Sequence, residues 1–203
     1  MPEALNKQEL NERLILIETM LAEGRKSTES WGWCFILWGL AYYAAIAWSY
    51  STSSPWAWPV TMVSAGLITA VLAKRQSGHE PETTMGRAVG SLWIAVVISL
   101  VLFSLCGSIA RRLDVQMFIA AVGAMIGIAN AASGLILRWK AQLVTAVFWW
   151  ACAAVAPFCS EGQSQVVFLV TIFLCQIVFG SYMMIYEAHK RRGLKKNSGV
   201  ARV

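Results

Sequence analysis

The chain has 203 residues, of which 57% are hydrophobic and 14% charged, and its formal net charge is +6. That balance excludes an ordinary soluble domain, where about a quarter of residues are charged. The basic surplus implies no nucleic-acid partner, because cytoplasmic loops of membrane proteins carry a Lys and Arg excess of their own.

The chain opens with Pro2, Glu3 and Asn6 rather than a basic run and an apolar core. No cleavable leader is expected, so the first span should serve as its own insertion signal. Residues 3–23 have helical period: Leu10, Leu14, Ile17 and Leu21 step by 4, 3 and 4, with polar residues elsewhere. Residues 1–26 are expected to form a cytoplasmic amphipathic helix and hinge, with Gly24 ending the helix and Ser27 or Thr28 capping the next. An interfacial helix on anionic lipid has a basic polar face. Here Glu3, Glu9, Glu12, Glu18 and Glu23 outnumber Lys7 and Arg13 within residues 1–23. The stripe therefore calls for protein: a sister subunit, a cytoplasmic partner, or the inner ends of the spans.

Residues 31–50, 56–73, 88–110, 115–137, 141–158 and 166–186 contain no Asp, Glu, Lys, Arg or His. Roughly 20 apolar residues carry a helix across the hydrocarbon core. The prediction is an all-α polytopic membrane protein with six transmembrane helices within residues 27–189. A basic tail, 190–203, follows. On an alternating path, Arg111 and Arg112 face one side and every other Lys and Arg faces the other. Both termini are therefore expected in the cytoplasm, which places the chain in a plasma membrane of the bacterial inner-membrane type. Short outer loops predict three antiparallel hairpins, spans 1–2, 3–4 and 5–6. No inverted repeat is visible.

Trp31, Trp33, Trp93, Trp139 and Tyr186 fall near the expected inner boundary, and Trp48, Tyr50, Trp56 and Trp58 near the outer one. Aromatic belts account for these. Trp38, Tyr42, Tyr43, Trp149 and Trp150 lie mid-helix. They read as packing, or as a wall for an apolar or cationic ligand. In the fourth span, Gln116, Ala120, Gly123, Gly127, Asn130 and Gly134 form one stripe, stepping by 4, 3, 4, 3 and 4. Small residues let helices approach closely in lipid. Asn130 needs a partner or a wet cavity, because an unpaired amide in hydrocarbon costs several kcal/mol. Gln176, with Gly180 one turn on, presents a second such face. Asn130, Gln176, Gln116, Trp38, Tyr42, Trp149 and Trp150 are thus the ligand or pore candidates. Gly123, Gly127, Gly134, Ala120 and Gly180 are the packing candidates.

Five cysteines, Cys34, Cys106, Cys152, Cys159 and Cys175, read as small packing residues, with a Cys106–Cys159 disulfide as the alternative. His79, Glu80 and Glu82 lie in a loop where solvation is the simpler reading, so no metal is expected. The spans hold no Lys for a Schiff base, no acid or His for proton coupling, and no His for haem. No phosphate-binding loop, nucleophile elbow or HExxH is present. The expectation is a non-catalytic, cofactor-free, homo-oligomeric bundle in the bilayer. It would form a small-solute or ion conduit, or hold a small ligand. The alternative is an accessory or signalling protein that engages a cytoplasmic partner through its N-terminal helix.

Overall fold

The structure, a computed structural model, describes residues 2–29, 31–52, 54, 56–77, 84–110 and 114–200. All regular elements among them are helical: α1 (Pro2–Glu29), α2 (Gly32–Thr52), α3 (Ala57–Ser77), α4 (Thr84–Ala110), α5 (Val115–Ile136), α6 (Lys140–Val155), α7 (Glu161–Ile172) and α8 (Phe179–Val200). A 3-10 turn, Ala156–Phe158, closes α6, and a π segment, Phe173–Val178, joins α7 to α8 without a break. Six of these helices, counting α7 to α8 as one, are long and apolar enough to cross a membrane.

Two local expectations change. The first helix runs through Gly24 to Glu29 rather than stopping there. One glycine costs a helix interior only about 1 kcal/mol, and Glu23, Arg25 and Lys26 around it are good helix formers. The last span begins at Glu161, five residues before its uncharged stretch. Ser160 caps it: the Gln163 amide N–H donates to Ser160 Oγ at 3.4 Å, and the Ser160 N–H donates to Gln163 Oε1 at 3.0 Å. This reciprocal pair satisfies two otherwise orphaned donors. It makes helix of most of the expected outer loop, 159–165, and Tyr50 donates across to Gln165 from the end of α2.

Hydrophobicity alone does not order six lipid-soluble helices; small residues do. The most extensive contact is between α5 and α6. A Cβ on Gly123 would lie 2.9 Å from the Trp149 carbonyl oxygen, and one on Gly134 would lie 2.9 Å from Leu143 Cγ. The indole of Trp150 covers Gly127. The order of these contacts makes the pair antiparallel. A turn of three residues joins them. Trp139 N–H donates to the Gly134 carbonyl at 2.8 Å and Arg138 N–H to that of Leu135 at 3.3 Å. This is the Schellman pattern, and its left-handed position is taken by Arg138 at φ 49°. An arginine there strains the backbone by roughly 1–2 kcal/mol, a cost the long helix contact outweighs.

The second close pair is α2 with the final helix. A Cβ on Gly39 would meet Gln176 Cβ at 2.8 Å, and one on Gly180 would meet the Gly32 carbonyl at 2.9 Å. Tyr43 donates to the Leu169 carbonyl at 2.9 Å. The contacts run Gly32–Gly180, Gly39–Gln176, Tyr43–Leu169 and Tyr50–Gln165, again antiparallel. Helix α3 packs on α2, and α4 on α5. Burial follows this order. The α5 span is 56% buried, the α3 span 11% and the α4 span 6%, so α3 and α4 present apolar side chains outward. Aromatic rings fill the seam between α2–α3 and α4–α5: Tyr42 on Trp58, Trp58 on Phe118, Phe118 on Phe103, and Phe35 on Trp93.

The glycine contacts give a direct expectation. Gly123→Val should lower unfolding stability in detergent by about 1–3 kcal/mol, the usual cost of overpacking. Gly90→Ala, which would meet open space, should be neutral or stabilising by up to about 1 kcal/mol. Thermal or denaturant melts of the two variants compare the sites directly.

Candidate functional site

Inside hydrocarbon, a polar side chain must find its partners within the protein. The buried polar residues among those described lie on α5, α6 and the final helix. They are Asn130, Ser133, Gln142, Thr145, Ser164, Thr171 and Gln176. On α6, Gln142, Thr145, Trp149 and Cys152 recur at steps of 3, 4 and 3, so they share one face, and all four are buried. This ladder faces Asn130 on α5 and Cys175 of the π segment.

Thr145 is its hub. The hydroxyl lies 3.2 Å from Asn130 Oδ1 and 2.8 Å from the Gln142 carbonyl, and can donate to either. Its own carbonyl accepts from the Cys175 thiol at 3.7 Å. Asn130 Nδ2 donates to the Ile126 carbonyl at 2.9 Å. The Asn130 amide is therefore engaged at both ends. One helix turn from Asn130 toward the α5–α6 turn, Ser133 Oγ accepts from Trp93 Nε1 at 3.2 Å.

Four buried atoms in this region differ. Gln142 Nε2 and Oε1, Trp149 Nε1 and Gln176 Oε1 find no hydrogen-bond partner among the described residues. Gln142 and Trp149 are fully buried and Gln176 is 4% exposed. Each such atom costs about 1–3 kcal/mol if left unpaired. The π segment sits at the same place, where the last helix is held between Thr145 on α6 and Gly39 on α2. Such segments concentrate at functional sites.

The residues singled out from sequence divide into three groups. Trp149 is a rung of the ladder and Asn130 pairs with it through Thr145, while Gln176 is buried on the adjoining π segment with its Cβ toward Gly39 of α2. Trp38 and Tyr42 belong to an aromatic spine that reaches the same helix: Trp38 on Tyr42 at 6.4 Å, Tyr42 on Phe168 at 6.0 Å, and Phe168 on Trp149 at 6.1 Å. These rings pack on one another. Gln116 and Trp150 lie elsewhere. Gln116 is at the start of α5, where its amide N–H donates to the Asp114 carboxylate at 2.8 Å. Trp150 is half-exposed over Gly127. Of the packing candidates, Gly123, Gly127, Gly134 and Gly180 are at helix contacts, while Ala120 is half-buried. Leu10, Leu14 and Ile17 on α1 are exposed; the side chain of Leu21 is outside the described residues.

Gln142, Thr145, Cys175 and the π segment were not among the sequence candidates. All five cysteines are free, Cys106 and Cys159 included. No cluster of three His, Cys, Asp or Glu able to hold a metal occurs among the described residues, and the loop with His79, Glu80 and Glu82 is outside them. At the far end of the bundle, Cys159, Gly162, Gln163, Val166 and Val167 line a shallow, open, apolar depression. Comparison with known protein families, curated proteins and solved structures finds no match.

Thr145→Val keeps the shape and removes the hydroxyl, leaving Asn130 Oδ1 unpaired. It should lower stability by about 1–2 kcal/mol, in line with hydrogen bonds between membrane helices. Thr145→Ser, which keeps the hydroxyl, should lose less. Parallel detergent melts of both variants make the comparison.

Proposed function

We propose that this chain is a non-catalytic integral membrane protein, with both termini in the cytoplasm, whose bundle binds a small uncharged hydrogen-bonding solute along the α6 ladder. The observation that carries this reading is the set of partnerless buried atoms on Gln142, Trp149 and Gln176. The Gln142 amide offers a donor and an acceptor at one point of the ladder; the Trp149 N–H lies two turns, roughly 10 Å, further along α6, and the Gln176 carbonyl is on the π segment. A solute with both functions matches the Gln142 amide. Among the described residues no buried carboxylate accompanies these groups to balance a cation, and no buried Lys or Arg to balance an anion, so the chemistry favours a neutral guest over an ion. The aromatic spine packs against Trp149 on the ladder, and the glycine contacts hold α5 close to α6. Nothing among these groups is a nucleophile paired with a base, so the site binds rather than transforms.

The test is thermal stability of the purified chain in nanodiscs, titrated with glycerol, urea and acetamide, with potassium chloride as the ionic control. Binding raises Tm in a saturable way through mass action. At least one neutral probe should do so, and Gln142→Leu should abolish the rise. No saturable rise with any neutral probe, or an equal rise in the Gln142→Leu variant, contradicts the reading.

A further inference from the structure

Helix α1 touches α4 and α8 yet keeps apolar side chains uncovered. Leu10, Leu14 and Ile17 are 56%, 50% and 50% exposed. With Leu21 they step by 4, 3 and 4, which is the spacing of alternating d and a positions in a heptad. Leu10 and Ile17 take d; Leu14 and Leu21 take a. The flanking positions then follow. Asn6, Arg13 and Met20 fall at g, and Asn11, Glu18 and Arg25 at e. In a parallel pair, each g residue faces the e residue five places on in the partner. Arg13 would face Glu18, Asn6 would face Asn11, and Met20 would face Arg25. One pair is an attraction and none sets like charges together.

The geometry points to a second copy of this chain as the occupant: we infer that α1 pairs with α1 of a sister subunit in a parallel two-stranded coiled coil. The membrane supplies the orientation, because copies inserted the same way present their first helices on the same side and in the same sense. It also compensates for length. Two heptads associate weakly when free in water, but anchoring each to a bundle makes the encounter effectively intramolecular once the bundles meet. The acidic surplus of residues 1–23 argues against anionic lipid as the alternative cover. In the single chain, Arg13 pairs with Glu9 one turn away at 2.5 Å, both largely exposed to solvent. An exposed pair of that kind contributes little, so Arg13 remains free to turn to Glu18 across the interface. Ile15 and Leu16 are also exposed, at 63% and 60%, but they fall at b and c, off the seam, and serve as internal controls.

The experiment uses the full chain in proteoliposomes, with single additions Leu14→Cys, Ile17→Cys, Ile15→Cys and Leu16→Cys, mild oxidation, and denaturing gels against the unmodified chain. The inference predicts disulfide dimers at positions 14 and 17 several-fold above those at 15 and 16. Arg13→Glu in the Leu14→Cys background should reduce the dimer several-fold, and adding Glu18→Arg should restore it. That double variant cannot rebuild the Glu9 contact, so recovery isolates the interchain pair. Monodispersity in detergent confirms that each variant keeps its bundle. Equal crosslinking at all four positions, no dimer at any, or no recovery in the double variant overturns the inference. So does preferential mixed crosslinking of Leu10→Cys with Leu21→Cys, which would mark an antiparallel pair.

Discussion

Hydrocarbon offers no hydrogen bonds, and the fold follows from that constraint. Apolar surface costs nothing in lipid, so α3 and α4 face outward with few buried residues. Polar side chains cannot face outward in the same way, and they select which helices form the interior. The interior is accordingly α5, α6 and the last helix, where Asn130, Gln142, Thr145 and Gln176 are buried. Close backbone approach at Gly123 and Gly134 brings α5 within hydrogen-bond reach of Thr145 on α6. Packing and polar pairing thus support one another at the same contacts.

The two close helix pairs have different roles. The α5–α6 pair is local in sequence and is closed by a strained three-residue turn at Arg138. The pairing of α2 with the final helix joins segments more than a hundred residues apart, through Gly32, Gly39 and Gly180 and the Tyr43–Leu169 hydrogen bond. The π segment lies where the last helix must serve both pairs at once. Cys175 turns to α6 and Gln176 lies against α2. A widened helix turn placed there is the sort of local irregularity that membrane proteins tolerate when neighbours satisfy the freed groups.

Much of this was legible in the sequence. The uncharged runs mark the six spans because charge is the most costly thing to bury in lipid. The Gly123–Gly127–Asn130–Gly134 stripe marks α5 because small and polar residues have no reason to face lipid. The same spacing test finds Gln142, Thr145, Trp149 and Cys152, but their signal is weaker: glutamine at a span's first turn reads as interfacial, and Thr and Cys pass as apolar packing. Ser160 and Gln163 carry the capping-box spacing that starts the last helix, outside the uncharged stretch used to delimit it. The π segment has no residue signature, since Phe173–Val178 is ordinary helix-compatible sequence. It arises from tertiary contacts that no local pattern encodes.

Gln142 and Trp149 are buried polar groups that find no partner for the Gln142 amide or the Trp149 Nε1 among the described residues. A density map in a lipid nanodisc, fine enough to show ordered solvent and small solutes, tests this directly. The account predicts non-protein density along the α6 ladder, within hydrogen-bond distance of the Gln142 amide or of the Trp149 Nε1. Unbroken side-chain packing at that position, with both groups bonded to the chain itself or the Gln142 amide turned out to the headgroups, would contradict it.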